Sequence, residues 1–86
     1  MYFDRNLAPP NRGEDVRALQ EALVALGFSR VARDGNFGPE TYEAVRVLQS
    51  RHGLPPTGVV DPATARAVGV ALAGRQRDRF TVSGRV

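Results

Sequence analysis

The chain has 86 residues, enough for one small domain and too few for a second core. Hydrophobic residues at 42% and charged residues at 24% exclude a disordered chain, and no apolar run approaches the roughly 20 residues that span a bilayer. With no Cys there is no disulfide, no thiolate nucleophile and no thiolate metal ligand, and the net charge of +3 comes from Arg alone, since Lys is absent. Arg, Ala, Val and Gly dominate together, so a GC-rich coding sequence accounts for the Arg usage without phosphate recognition. The N-terminus Met1-Tyr2-Phe3-Asp4-Arg5 has no apolar signal stretch, which places any export signal on sequence outside this chain.

Residues 1–12 show no periodicity, and Pro9-Pro10 stiffens them toward an extended lead-in strand or linker. A first helix is expected from Gly13, with Glu14 and Asp15 in its first turn, where the helix dipole favours carboxylates. Val16, Leu19, Leu23 and Leu26 recur at helical spacing and share one face, and Gly27 is placed to end the helix. Asp34-Gly35-Asn36 is a turn signal, followed by Gly38-Pro39 as N-cap and first helical residue. The second helix then runs to about His52, with Thr41, Ala44, Val45 and Leu48 inward and Gly53 as its stop. Asp61-Pro62 repeats the start signal for a third helix through Thr64, Ala67, Val68, Ala71 and Leu72, ending near Gly74.

The second and third helix starts are copies of one unit. Residues 35–45 match residues 58–68 in Gly, Pro, Thr, Ala and Val at a constant offset of 23, and helices one and two share a Val-x-x-Leu-Gln face ending at Gln20 and Gln49. Isolated helices of this length are marginal in water, so the three must pack as one bundle. The expected fold is all-α, a small three-helix bundle over residues 13–74 with an irregular lead-in at 1–12 and an extended tail at 75–86. In that tail Arg79-Phe80-Thr81-Val82-Ser83-Gly84-Arg85-Val86 alternates like a strand, pointing to a linker or the first strand of a following domain.

Four ordered motifs carry a family resemblance: Gly13-Glu14-Asp15-Val16-Arg17-x-Leu19-Gln20-x-x-Leu23-x-x-Leu26-Gly27-Phe28, Asp34-Gly35-Asn36-Phe37-Gly38-Pro39-Glu40-Thr41, Val45-x-x-Leu48-Gln49-x-x-x-Gly53-Leu54 and Thr57-Gly58-Val59-Val60-Asp61-x-x-Thr64. From Asn11 to Val70 the chain resembles the peptidoglycan-binding-like three-helix domain, a module often appended to bacterial and phage cell-wall hydrolases. The resemblance implies a non-catalytic role, attaching a partner domain to the cell wall through peptide stem or glycan, in the wall or outside the cell. The tail resembles the opening strand of a transthyretin-like or carboxypeptidase-regulatory-like β-sandwich, which would make a β-sandwich the partner in the parent chain.

Each motif has a structural reading beside its functional one. Asp34 and Gly35 make the turn, Phe37 plugs the core, Thr41 faces inward, and Gln20 and Gln49 hold neighbouring loops through their amides. Tyr42 either packs on Phe37 or presents its ring to a sugar. The functional reading gathers Asp34, Gly35, Asn36, Phe37, Thr41 and Tyr42 into a shallow ligand groove, since amides at a helix start attract carboxylates and wall peptides carry them. Asp34, Asn36 and Gly38 alternate as in a calcium loop, but Val45 stands where a bidentate Glu is required, so no metal or cofactor is expected. The only His, His52, sits at a helix C-terminus, where the dipole favours a cation without catalysis. Glu40 and Glu43 share a helix flank but lack the cleft a glycosidase needs, so no enzyme is expected.

Two other function classes remain on sequence grounds. One is a structural or protein-interaction module of a multidomain toxin or secretion assembly. The other, nucleic-acid binding, is weakened by where the charge lies: through Leu72 eight Arg balance eight acidic residues, and residues 73–86 hold four Arg against one Asp. Neither nucleic acid nor membrane is an expected partner.

Overall fold

A computed structural model describes the backbone of residues 3–85 and the side chains of residues 3–74. Three helices form: α1 (Glu14–Ala25), α2 (Pro39–Arg51) and α3 (Pro62–Arg85), each packed against the other two. Their starts obey local chemistry. Pro39 and Pro62 open α2 and α3, where a missing N–H costs nothing, and the Asp61 carboxylate caps α3 by accepting the Thr64 N–H at 2.9 Å. Asp15 in the first turn of α1 accepts the Val16 N–H at 2.8 Å and pairs with Arg5 at 2.9 Å. Gly27 and Gly53, at φ 104° and 70°, take the left-handed conformation that turns the chain out of α1 and α2.

The inward stripes meet as the spacing predicts. Val16, Leu19 and Leu23 of α1, Ala44, Val45 and Leu48 of α2 and Ala67 and Val68 of α3 are buried in one cluster. Leu26 and Leu72 pack against it while half-buried. Four residues outside the helices complete the core: Leu7, Val31, Phe37 and Val60.

Two expectations are corrected. The lead-in is neither a linker nor extended at Pro9-Pro10; it turns there, closed by the Asn11 N–H donating to Ala8 O at 2.7 Å and the Ala8 N–H donating to Asn11 Oδ1 at 2.9 Å. On one side of this turn Leu7 pairs antiparallel with Val60, and on the other Arg12 pairs with Asn36. The lead-in therefore touches both copies of the repeated turn. The tail is not an extended strand, since α3 continues through Gly74 to Arg85. Gly74 keeps helical backbone rather than the positive φ of a stop, and the Ala, Arg and Gln residues around it favour helix continuation.

Candidate functional site

The repeated unit is held by two matching brackets. In the first, the Gln20 amide nitrogen donates to Asn36 O at 2.8 Å, Thr41 Oγ1 at 3.1 Å and Asp34 Oδ1 at 3.2 Å, while its oxygen accepts the Gly35 N–H at 2.8 Å. In the second, the Gln49 amide nitrogen donates to Val59 O at 2.9 Å, Thr64 Oγ1 at 2.9 Å and Thr57 Oγ1 at 3.3 Å, and its oxygen accepts the Gly58 N–H at 2.9 Å. Both glutamines are fully buried, and each one satisfies a loop backbone that the core would otherwise leave without water. The expected loop-holding role of Gln20 and Gln49 is thus their observed role. In both turns the first side chain also accepts an N–H two residues on: Asn36 N–H to Asp34 at 3.0 Å and Val59 N–H to Thr57 at 3.1 Å.

These brackets divide the six expected site residues. Gly35 and Thr41 are buried, and their polar groups are taken by Gln20. Asp34 and Asn36 are exposed on the turn. The Asp34 carboxyl is held below the usual carboxylate range, first by the Asn36 N–H and then by the Gln20 amide. Phe37 and Tyr42 meet in one open groove of about 320 Å³, whose remaining walls are Pro9, Gly38 and Pro39.

Sequence reasoning missed those three wall residues. Pro9 belongs to the lead-in, and only its turn back over the bundle brings it to α2; Gly38 and Pro39 read as helix-start punctuation, although a residue that starts a helix at the surface is also well placed to wall a groove.

Tyr42 is half-buried and packs against the core, in line with the packing role expected of it. The Arg46 guanidinium lies 5.8 Å from its ring centre and itself donates to Pro56 O at 3.2 Å, and a Cβ added to Gly58 would collide with the ring. The ring is therefore clamped against the second turn, which is where the Thr57-Gly58 copy approaches the first. Tyr42 also lines the groove beside Phe37. A larger concavity of about 440 Å³ lies between Gly27–Val31 and α2, with the Arg51 guanidinium 5.4 Å from the ring of its aromatic wall, Phe28. The Tyr42 groove has almost wholly apolar walls.

Among known proteins, residues 12–68 match the family described as "Putative peptidoglycan binding domain". The chain is 37% identical over 75 residues to the N-acetylmuramoyl-L-alanine amidase CwlL of Bacillus licheniformis, a stretch that covers 85% of this chain and 20% of that protein. It superposes on the crystal structure of the SleB N-terminal domain with a TM-score of 0.77 at 34% identity, covering 83% of this chain and 97% of that one. A peptidoglycan-binding protein from Clostridioides difficile, solved in complex with glutamine hydroxamate, matches with a TM-score of 0.72 at 37% identity over 76% of this chain and 40% of its own. The chain spans about a fifth of the curated amidase relatives it matches. The match over residues 12–68 and the shared fold place this chain in the peptidoglycan-binding domain family.

Proposed function

We propose that the chain is a non-catalytic peptidoglycan-binding module that anchors an attached domain to the bacterial cell wall. The match of residues 12–68 to the family carries this reading, and the share of the amidase relatives it spans supports a role as one domain among several. Contact is made at the groove of Phe37, Tyr42, Pro9, Gly38 and Pro39, with Asp34 and Asn36 exposed on the turn beside it. Gly35 and Thr41 belong to the site indirectly, as part of the bracket that fixes the groove's shape. Helical residues beyond Gly74 serve as the linker to the neighbouring domain.

A groove this open supplies few contacts, so single-site affinity is weak. Retention on the wall comes from many sites along a polymer and from linkage to other domains, where avidity adds roughly 10² to 10⁴. Sedimentation with purified sacculi tests the reading. The protein is expected in the pellet, and Tyr42→Leu, which keeps apolar bulk against Gly58 but removes the flat ring and hydroxyl, is expected to shift it to the supernatant. A protein that stays in the supernatant at the level of a non-binding control overturns wall binding, and a Tyr42→Leu variant that pellets like the native chain removes the groove from it.

A further inference from the structure

The 23-residue repeat extends to the surface. Advancing the groove walls Phe37, Gly38, Pro39 and Tyr42 by 23 positions gives Val60, Asp61, Pro62 and Ala65, and these four line a separate pocket of about 350 Å³ at the start of α3. The lead-in is related in the same way. Phe37 N–H donates to Asn11 O at 3.0 Å and Val60 N–H donates to Leu7 O at 2.7 Å; Pro9 stands two residues before Asn11 and Arg5 two before Leu7, and each walls its own pocket. One architectural position is therefore built twice, with different chemistry in each copy.

Three of the exchanges make the second copy more open or more basic. Where Tyr42 fills the first copy, Ala65 leaves the second open; where the first copy has Pro9, the second has Arg5; and Arg66 replaces Glu43. Phe3, Val60, Pro62 and Ala65 supply apolar wall, and Asn6 an amide. The one acidic group in the pocket, Asp61, accepts the Thr64 N–H through Oδ1 and so caps the start of α3. The Arg5 guanidinium spends Nε and Nη2 on Asp15 and Arg12 O, while its Nη1 has no acceptor among the described residues. Arg66 is exposed and has no ion pair among them.

We propose that this pocket is a second ligand site, which takes the C-terminal carboxylate of a short aliphatic peptide between Arg5 and Arg66, with the adjoining small side chain against Phe3, Val60 and Ala65. Guanidinium groups suit carboxylates because planar N–H donors match both oxygens, and a charged partner roughly doubles the strength of each hydrogen bond. The site is distinct from the Tyr42 groove, and its chemistry can be tested with a soluble peptide whether or not the chain holds to sacculi.

The experiment is an amide-resolved NMR titration of the full chain with N-acetyl-alanyl-alanine and, separately, with its C-terminal amide. The acid is expected to shift the Asn6, Val60 and Arg66 amides saturably at millimolar concentration, and the amide form to leave them in place. Arg66→Gln is expected to weaken binding about tenfold with an unchanged melting temperature, because the side chain is exposed; Tyr42→Leu is expected to leave it unaltered. Equal shifts from both peptides, no shifts from either, shifts centred on Gly38 and Tyr42, or an Arg66→Gln variant that binds like the native chain would each overturn the assignment.

Discussion

Gln20 shows how a single side chain can specify a loop. It donates and accepts across the whole Asp34 turn while fully buried, so truncation leaves the Gly35 N–H, the Asn36 carbonyl and the Thr41 hydroxyl without a partner. Each such group costs about 1–3 kcal/mol. Gln20→Ala is therefore expected to lose about 3 kcal/mol or more in urea unfolding, with the midpoint falling, and Gln49→Ala to lose a similar amount. A loss below about 1 kcal/mol in both would show that the brackets do not hold the turns. The carboxylates predict an acid response. The Asp15 carboxyl is lowered chiefly by Arg5, Asp34 by the Asn36 N–H and Asp61 by the Thr64 N–H, each from an ordinary value of 3.8. A folded pKa below the unfolded one contributes stability that is fully present above the unfolded value and is lost as pH falls through the folded value. Thermal midpoints are thus expected to be flat well above 3.8 and to drop below it, less steeply for Asp34→Asn. The presence of a Gln beside the apolar stripes of α1 and α2 was legible in the sequence; the four partners of each were not, because they lie 14 to 21 residues from Gln20 and 8 to 15 from Gln49 along the chain.

At the scale of the helix, starts and stops followed local rules wherever a side chain or a strained φ enforced them. Pro39, Pro62 and the Asp61 cap lie where the sequence reading put them, and Gly27 and Gly53 stop α1 and α2. Gly74 does not stop α3. Glycine permits a left-handed cap without requiring one, and neighbours with good helix propensity carry the helix across it. Nothing lies within 4 Å of a Cβ built at Gly74, and its backbone is helical, so Gly74→Ala is expected to raise stability by about 1 kcal/mol, read as a higher melting temperature. A lower one would mean that α3 ends at this residue. The alternation in residues 79–85 failed as a strand signal because a strand also needs a partner, and α3 carries its own hydrogen bonds; Val86 lies outside the described residues.

For the whole molecule, the lead-in is part of the fold. Leu7 is fully buried, and its N–H and carbonyl both pair with Val60, at 3.0 and 2.7 Å. Leu7→Ala is expected to cost about 2–5 kcal/mol in chemical unfolding, a large share of the stability of so small a domain. A loss under about 1 kcal/mol would return residues 1–12 to the status of a linker. Local order in the chain was enough for three helices, the stripe each buries, the duplicated turn and the family, because periodicity, caps and turn residues act over a few neighbouring positions. Which of the six expected site residues face solvent, and the Pro9 and Arg5 walls of the two pockets, depended on the folded chain. The lead-in has no pattern of its own, and it takes its place only where Leu7 finds Val60 and Asn11 finds Phe37, contacts that no local rule encodes.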